Sequence, residues 1–259
     1  MKVPAEFMRR IAAAAAAETM PRFRQPGAVV NKLSSGFDPV TEADREAEKA
    51  IRALINAQYP DHGILGEEFG PENVDAEYVW VIDPIDGTRS YIAGIPLWGT
   101  LIGLTRNGDA IAGMMAQPHI GELFYADDDG AYLEGRGGLI RLATRDTRRV
   151  SDATLCTTTP VLFRDNFRTA FDRLEAGCRM SRYGTDCYAY CMLASGYVDL
   201  VVETGLQTYD IVALIPIIER AGGKITAWDG GPAEGGGGVV AAANADLHAE
   251  AMQLLHATG

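Results

Sequence analysis

Asp83-Pro84-Ile85-Asp86-Gly87-Thr88 is the stretch of this sequence whose residue types and spacing could do chemistry. Two carboxylates three residues apart straddle a proline-stiffened turn at the end of the apolar run Tyr78-Val79-Trp80-Val81-Ile82. Pro84 sets its own φ and restricts the residue before it, which holds both acids on one side of the turn. Gly87 and Thr88 then offer backbone N–H groups and a hydroxyl at the start of the next helix, a seat for an anion. Acids beside an anion seat make sense only with cations between them. Hard oxygen donors with no His or Cys nearby point to magnesium. Other acids could join the set. Glu67-Glu68 follow the strand-like Gly63-Ile64-Leu65-Gly66, and both acid pairs therefore lie just beyond strand ends, where α/β sites commonly form. Tyr209-Asp210 open a helix far along the chain, and Asp44 lies in the first turn of the second helix. Taken singly, each is an ordinary capping or surface acid.

Taken together, Gly66-Glu67-Glu68, Asp83-Pro84-Ile85-Asp86-Gly87-Thr88 and Tyr209-Asp210 with Ala221-Gly222-Gly223 resemble the three signatures of the inositol monophosphatase superfamily, in the right order and from about residue 30 to about residue 245. The resemblance implies a magnesium-dependent, lithium-sensitive phosphomonoesterase with a layered αβαβα sandwich of the inositol monophosphatase/fructose bisphosphatase type. It implies metal ligands Glu67, Asp83, the backbone carbonyl of Ile85, Asp86 and Asp210. Asp83 would bridge two magnesium ions, and a third, weaker one would lean on Glu67 and water. It makes Thr88, hydrogen-bonded to Asp44, the pair that orients and helps deprotonate the attacking water, and gives the phosphate to the amides of Gly87 and Thr88. Bound cations lower the pKa of water, so no perturbed side-chain base is strictly required. A homodimer is implied as well.

The run Arg89-Ser90-Tyr91-Ile92-Ala93-Gly94-Ile95-Pro96-Leu97-Trp98-Gly99 is unlike the Thr-Asn-Phe that inositol enzymes usually carry after Gly-Thr, and is similar to the histidinol-phosphatase branch. Tyr183-Gly184-Thr185-Asp186-Cys187-Tyr188-Ala189-Tyr190 is similar to that branch too, and Gln117-Pro118 is a further likeness to which no chemistry is assigned. Asp186 then stands where inositol enzymes have a small residue, and Glu203, seven residues before Asp210, takes the substrate-contacting position. L-Histidinol carries an ammonium and an imidazole, so a pocket with Asp186 and Glu203 beside the metal ligands suits a cationic alcohol. Inositol-1-monophosphatase and adenosine 3′,5′-bisphosphate 3′-phosphatase activities share the mechanism. A metal- and phosphate-binding regulatory protein without turnover is the alternative from another class.

The elements that must position these residues are legible in outline. Six alanines, Ala12 to Ala17, read as a first helix rather than a leader peptide, since alanine favours helix but is weakly hydrophobic. Pro21 and Pro26-Gly27 break the chain, and Asn31 to Pro39 read as a loop or irregular hairpin. A second helix opens at Thr41, its N-cap, with Asp44 three residues on and Ala47, Ala50, Ile51, Leu54 and Ile55 on one stripe. Strand-like runs follow at 63–66, 78–82, 99–104, 110–116 and 123–126. Arg136 to Arg149 reads as a solvated connection between an N-terminal half (1–145) and a C-terminal half (146–259). In the latter, 161–176, 186–196 and 209–221 read as helices, the last with Pro216 inside it, and 198–202 as a buried strand. The Gly-rich stretch 230–238 lacks a Walker pattern and reads as a surface loop.

Composition closes off other classes. The 259 residues are 47% hydrophobic and 22% charged, ordinary for a globular chain. Thirty-five acids against 23 Lys and Arg give a net charge of −12, which repels nucleic acid and anionic lipid. A small phosphorylated substrate is compatible with that charge only because bound cations reverse it locally. Four cysteines without a CxxC, and four histidines without ligand spacing, argue against a disulfide scaffold and a zinc site. No stretch approaches the length of a bilayer-spanning helix, so a soluble, cytoplasmic protein is expected. The whole assembly requires Asp210 within roughly 10 Å of Asp83, because ligand bonds of about 2.0–2.1 Å to one shared magnesium cannot otherwise form.

Overall fold

The computed structural model describes residues 3–25, 29–31 and 39–257. In chain order these form α1 (Ala5–Thr19), β1 (Val29–Asn31), β2 (Pro39–Thr41), α2 (Glu42–Gln58), β3 (Gly63–Gly66), β4 (Gly70–Glu72), β5 (Tyr78–Asp86), α3 (Thr88–Ile92), β6 (Gly99–Arg106), β7 (Asp109–Gln117), β8 (Glu122–Asp127), β9 (Gly130–Gly135) and β10 (Gly138–Arg141). The chain continues through β11 (Thr154–Thr157), α4 (Asp165–Gly177), β12 (Met180–Tyr183), α5 (Asp186–Ala194), β13 (Leu200–Leu206), α6 (Thr208–Ile211), α7 (Leu214–Arg220), β14 (Lys224–Ala227), β15 (Gly237–Ala242) and α8 (Ala245–His256). An eight-stranded sheet has the order β10-β9-β8-β7-β6-β5-β3-β4, and a five-stranded sheet the order β12-β11-β13-β15-β14.

Side-chain alternation along the strands dictates how these pieces stack. On β6, Ile102 and Leu104 join α1 and α2 through Phe7, Ile11, Ala47, Ile51 and Ile55, while Leu101 faces the other way. On β8, Tyr125 does the first and Phe124 the second. The second face of the large sheet packs on α5 and α7, and from beneath them Val201, Val239 and Ala241 of the small sheet complete the same core. Leu200, Val202, Val240 and Ala242, one residue out of phase, face α4 and α8. The result is the expected αβαβα sandwich. Period-two alternation with both faces covered explains why the strands read as nearly continuous apolar runs.

Several local expectations need correction. The break at Pro26-Gly27 and the loop at 32–38 lie outside the described residues, although β1 and β2 on either side pair antiparallel. The helix expected from 161 begins at Asp165, and Pro160–Leu162 make a 3-10 turn before it. Arg136 to Arg149 is no simple solvated link, because it contains β10, and Arg145 reaches the buried Asp199 at 3.3 Å. The Gly-rich stretch is partly strand, since β15 begins at Gly237. The helix expected over 209–221 is two helices. Pro216 has no N–H to give the carbonyl of Val212, so the helix parts at Val212-Ala213 and restarts at Leu214. Pro216 then falls in the first turn of α7, where a missing N–H costs nothing. No helix among the described residues is long and apolar enough to cross a membrane.

That break sits against the large sheet. β6 and β7 place Gly103 opposite Gly113. A Cβ on Gly113 would lie 2.0 Å from the Ala213 carbonyl oxygen, and one on Gly103 would lie 2.6 Å from Val212 Cγ1. The two glycines let the α6–α7 corner press onto the sheet, which carries Asp210 inward. Gly113→Ala should therefore cost about 1–3 kcal/mol, roughly 2–10 °C in Tm, and weaken magnesium binding by displacing Asp210. Thermal melts and metal titration check this, and an unchanged value in both would show that the corner yields freely.

Candidate active site

β3 and β5 run parallel with Gly66 beside Ile82, so the residues that follow, Glu67 and Asp83, emerge side by side at neighbouring strand ends. The Glu67 amide donates to the Ile82 carbonyl at 3.1 Å, continuing the ladder by one bond. In a regular strand residues three apart face opposite ways, which would separate Asp83 from Asp86. β5 avoids this with a bulge: Asp83 pairs with Leu101 but Asp86 with Gly99, so one extra residue turns both acids to the same side. Thr100 Oγ1 donates to the Pro84 carbonyl at 2.8 Å and pins the bulge. The Ile85 amide donates to Asp83 Oδ1 at 3.1 Å.

Gly87 then caps α3 with φ of 79°, a left-handed conformation that favours glycine, and a Cβ there would meet Asp186 Oδ2 and the Leu97 carbonyl at 3.0 Å. From the second half, Asp210 enters on the first turn of α6, its Oδ2 accepting from the Gln207 amide at 2.6 Å. Carboxylate oxygens of Asp83, Asp86 and Asp210 lie within 4.8 Å of one another, so Asp210 meets the roughly 10 Å requirement, and a small inward movement would bring the oxygens onto one ion. Glu67, Asp83, Ile85, Asp86, Gly87, Thr88, Arg89, Asp186 and Asp210 line one cavity of about 180 Å³. A larger hollow of about 530 Å³ beside Phe167 and Trp228 gathers no comparable set of acids.

Two expected site residues lie elsewhere, and one expected bond is not made. Thr88 does not give its hydrogen to Asp44: the hydroxyl donates to the Ile85 carbonyl at 2.9 Å, and it has one hydrogen to give. Asp44 is 1% exposed and off the cavity wall. Its Oδ2 accepts from the amide and hydroxyl of Thr41 at 2.8 and 2.5 Å, closing a capping box, while Oδ1 is buried without a partner. Glu203 is also off the wall and 2% exposed, with Thr157 and Thr158 donating to it. Conversely, the site uses residues that sequence reasoning left without a role. Arg89 lines the cavity, Ser90 Oγ donates to Asp186 Oδ2 at 3.0 Å, and the Cys187 amide donates to Asp86 Oδ2 at 2.8 Å. Arg89 and Ser90 directly follow Thr88 and could have been suspected from that; nothing in the sequence marks Thr158 or the Cys187 amide. Gln117 is fully buried, donating to the Pro96 carbonyl at 2.6 Å and accepting from the Ile120 amide at 2.9 Å, so it clamps the loop behind α3.

Charge crowding shows in the protonation equilibria. Burial first, then Glu67, Asp86 and Asp210, push the Asp83 carboxyl well above the usual carboxylate range. Burial, Asp186 and Asp210 do the same to Asp86. Burial raises Asp44 to about 6 against the opposing bonds from Thr41, and raises Glu203 to about 7. Oxygen-only donors converging at this spacing, and held unwillingly as anions, fit a divalent cation. The sign of the linkage follows. Carboxyls with raised native pKa values favour folding while protonated, and that contribution is lost as pH rises through the native values. In chelator the melting temperature should fall between about pH 5 and about pH 8, and the increment given by magnesium should be larger at the higher pH. An increment independent of pH would separate these carboxyls from metal binding.

Residues 3–258 match the model of the inositol monophosphatase family. The chain is 40% identical over 247 residues to "Bifunctional phosphatase IMPL2, chloroplastic" of Arabidopsis thaliana, covering 90% of this chain and 69% of that one. It is 32% identical over 258 residues to a histidinol-phosphatase of Mycobacterium tuberculosis, covering 97% and 98%. Among solved structures, an inositol monophosphatase from Zymomonas mobilis superposes with a TM-score of 0.86 at 37% identity, over 97% of both chains. With its bulged acid pair, its convergent third aspartate and a family match along nearly its whole length, the chain belongs to the inositol monophosphatase family and is, by that membership, a phosphatase.

Proposed function

We propose that this phosphatase is magnesium-dependent and hydrolyses L-histidinol phosphate to L-histidinol and phosphate. The observation that carries the reading is Asp186, whose carboxylate stands on the wall of the same cavity as the metal-type acids. An ammonium on the leaving alcohol would find there a partly desolvated anion, and a charged hydrogen bond in such a place discriminates strongly. Similarity to proteins named histidinol-phosphatase, the Mycobacterium tuberculosis one included, supports it. The second reading, hydrolysis of inositol monophosphate, is favoured by the Zymomonas mobilis structure, and Asp186 would then serve a hydroxyl.

Asp83, Asp86, Asp210, Glu67 and the Ile85 carbonyl are the groups that would hold magnesium. When bound, the metal neutralises charge on the phosphate and lowers the pKa of water. The chain supplies the rest. The amides of Gly87 and Thr88 seat phosphate oxygens at the mouth of α3. The Thr88 hydroxyl accepts a hydrogen bond from the attacking water and fixes its approach. With the Thr88 hydrogen held by the Ile85 carbonyl, Asp44 has no part in this step, and the lowered pKa of a metal-bound water would let its proton leave to solvent. The wall around Asp186 holds the leaving alcohol so that attack is in line.

Two outcomes test this reading. First, a panel of histidinol phosphate, inositol 1-phosphate and adenosine 3′,5′-bisphosphate should rank in that order by kcat/KM. Asp186→Asn should lower histidinol phosphate turnover on the order of 10- to 150-fold, the equivalent of roughly 1.5–3 kcal/mol, while sparing an uncharged ester. Equal losses on both esters would leave the phosphatase but remove the substrate. Second, Thr88→Ala should depress kcat with metal affinity retained, whereas Asp210→Asn should lose activity that added magnesium partly restores. Turnover persisting after complete chelation would overturn the metal dependence.

A further inference from the structure

Resting on the reading of Asp186 as the group that meets the substrate's ammonium, we infer that Ser90 is a positioning residue that fixes Asp186 hard against the phosphate seat. The site then selects phosphate esters of 1,2-amino alcohols by the spacing of their two charges. Gly87, whose amide belongs to that seat, is where the two meet. A Cβ on Gly87 would lie 3.0 Å from Asp186 Oδ2 and 3.4 Å from Asp186 Cβ, so the aspartate side chain covers the glycine α-carbon. Gly87 and Asp186 both belong to the wall of the small acidic cavity.

Asp186 keeps this place through two bonds to one short segment, residues 86–90. Its Oδ2 accepts from Ser90 Oγ at 3.0 Å, and the next amide, that of Cys187, donates to Asp86 Oδ2 at 2.8 Å. On its other side the Gly184 amide donates to the Thr158 carbonyl at 2.9 Å. Between these anchors Asp186 has φ of 43°, a left-handed conformation that a side-chain-bearing residue holds only where the surroundings enforce it. Burial raises the Asp186 carboxyl above its usual range, and Ser90, then Thr158 and Arg89, oppose this by favouring the anion.

A carboxylate offers about four acceptor sites, so bonds from Ser90 and Thr158 still leave room for an ammonium. Gly87 caps α3 and Ser90 lies within it, so the seat for the anion and the holder of the cation's partner are one rigid piece. Their separation is therefore fixed, and it is short. In the ester of a 1,2-amino alcohol the ammonium stands two carbons from the ester oxygen and can fold back beside the phosphate. L-Histidinol phosphate has this arrangement. One more methylene carries the ammonium beyond Asp186. Without the Ser90 bond the carboxylate could turn to follow a longer spacer, and the shorter ester would lose a partner already in place.

The test compares kcat and KM for three esters that share the imidazole. They are histidinol phosphate, its homologue with one methylene inserted between the ester-bearing and amine-bearing carbons, and the analogue without the amine, which reads any loss common to all. The wild-type protein should favour histidinol phosphate over the homologue by about 10-fold or more in kcat/KM. Ser90→Ala should narrow that preference to less than about 3-fold, chiefly by raising KM for histidinol phosphate, with melting temperature as the control for folding. Ser90→Thr, which keeps the hydroxyl, should retain the preference; a loss equal to that of Ser90→Ala would overturn the role of the hydroxyl. The proposal also falls if Ser90→Ala keeps the wild-type preference, or lowers kcat equally on all three esters. A wild-type protein that treats histidinol phosphate and the homologue alike, and both better than the amine-free ester, would overturn the fixed spacing and leave the reading of Asp186 standing. No preference for histidinol phosphate over the amine-free ester would overturn that reading, and the spacing with it.

Discussion

Asp83, Asp86 and Asp210 keep carboxylate oxygens within 4.8 Å of one another, with Asp83 nearly without solvent. Glu67 and Asp186 share the same small cavity. Two unit charges about 4 Å apart repel by roughly 1 kcal/mol in water and by about 4 kcal/mol at the effective dielectric of a protein surface. This repulsion is the constraint to which the surrounding structure answers. Flexible acids would relax it by swinging into solvent, so the acids can stay together only where backbone geometry and directed hydrogen bonds deny them that route.

The restraints are of a kind that suits a cation site. Main-chain N–H groups hold three of the acids: Ile85 on Asp83, Cys187 on Asp86 and Gln207 on Asp210. Each such bond favours the anion without placing a competing positive side chain where a metal ion would sit. Arg89 is the only cationic side chain among the described residues lining the cavity. Burial and charge crowding raise the proton affinity of the cluster, and the same crowding would favour a divalent ion there. On the proposed reading, the ability to hold a metal and the cost of keeping these acids together share one physical origin.

The two sheets contribute unequally. The large sheet supplies the rigid part, two parallel strand ends and a bulge, and with them Glu67, Asp83 and Asp86. The small sheet and the helices between the sheets supply the parts that differ in chemistry, namely Asp210 on the α6 turn, Asp186 at the start of α5, and the Thr158–Glu203 pair at a strand end. On the proposed reading, reaction chemistry rests on the regular, deeply packed sheet and selectivity on short turns that lean on it, so the second could vary without disturbing the first.

Much of this is legible in the amino-acid sequence. Asp83-Pro84-Ile85-Asp86-Gly87-Thr88 announces paired acids and an anion seat, because proline, glycine and carboxylate preferences act over a few residues. Thr41 and Asp44 mark a helix start for the same reason, and the structure closes their capping box. The apolar runs mark strands and helices, and the layered sandwich is what the family likeness implies. Other features depend on distant partners. Whether Asp83 and Asp86 share a face rests on a bulge that β6 registers from across the ladder. Pro216 is a puzzle locally and becomes ordinary once the helix breaks before it, at a corner admitted by Gly103 and Gly113 more than 90 residues earlier. Thr88 prefers the Ile85 carbonyl to Asp44, and Glu203 is shut behind Thr158, because hydrogen-bond partners are chosen by proximity in space, on which sequence spacing is silent. The sequence by itself determined which chemical groups are present and which local turns present them; the tertiary structure alone decided which acids meet, because electrostatic and packing energies depend on distances between segments that the chain brings together only when it folds.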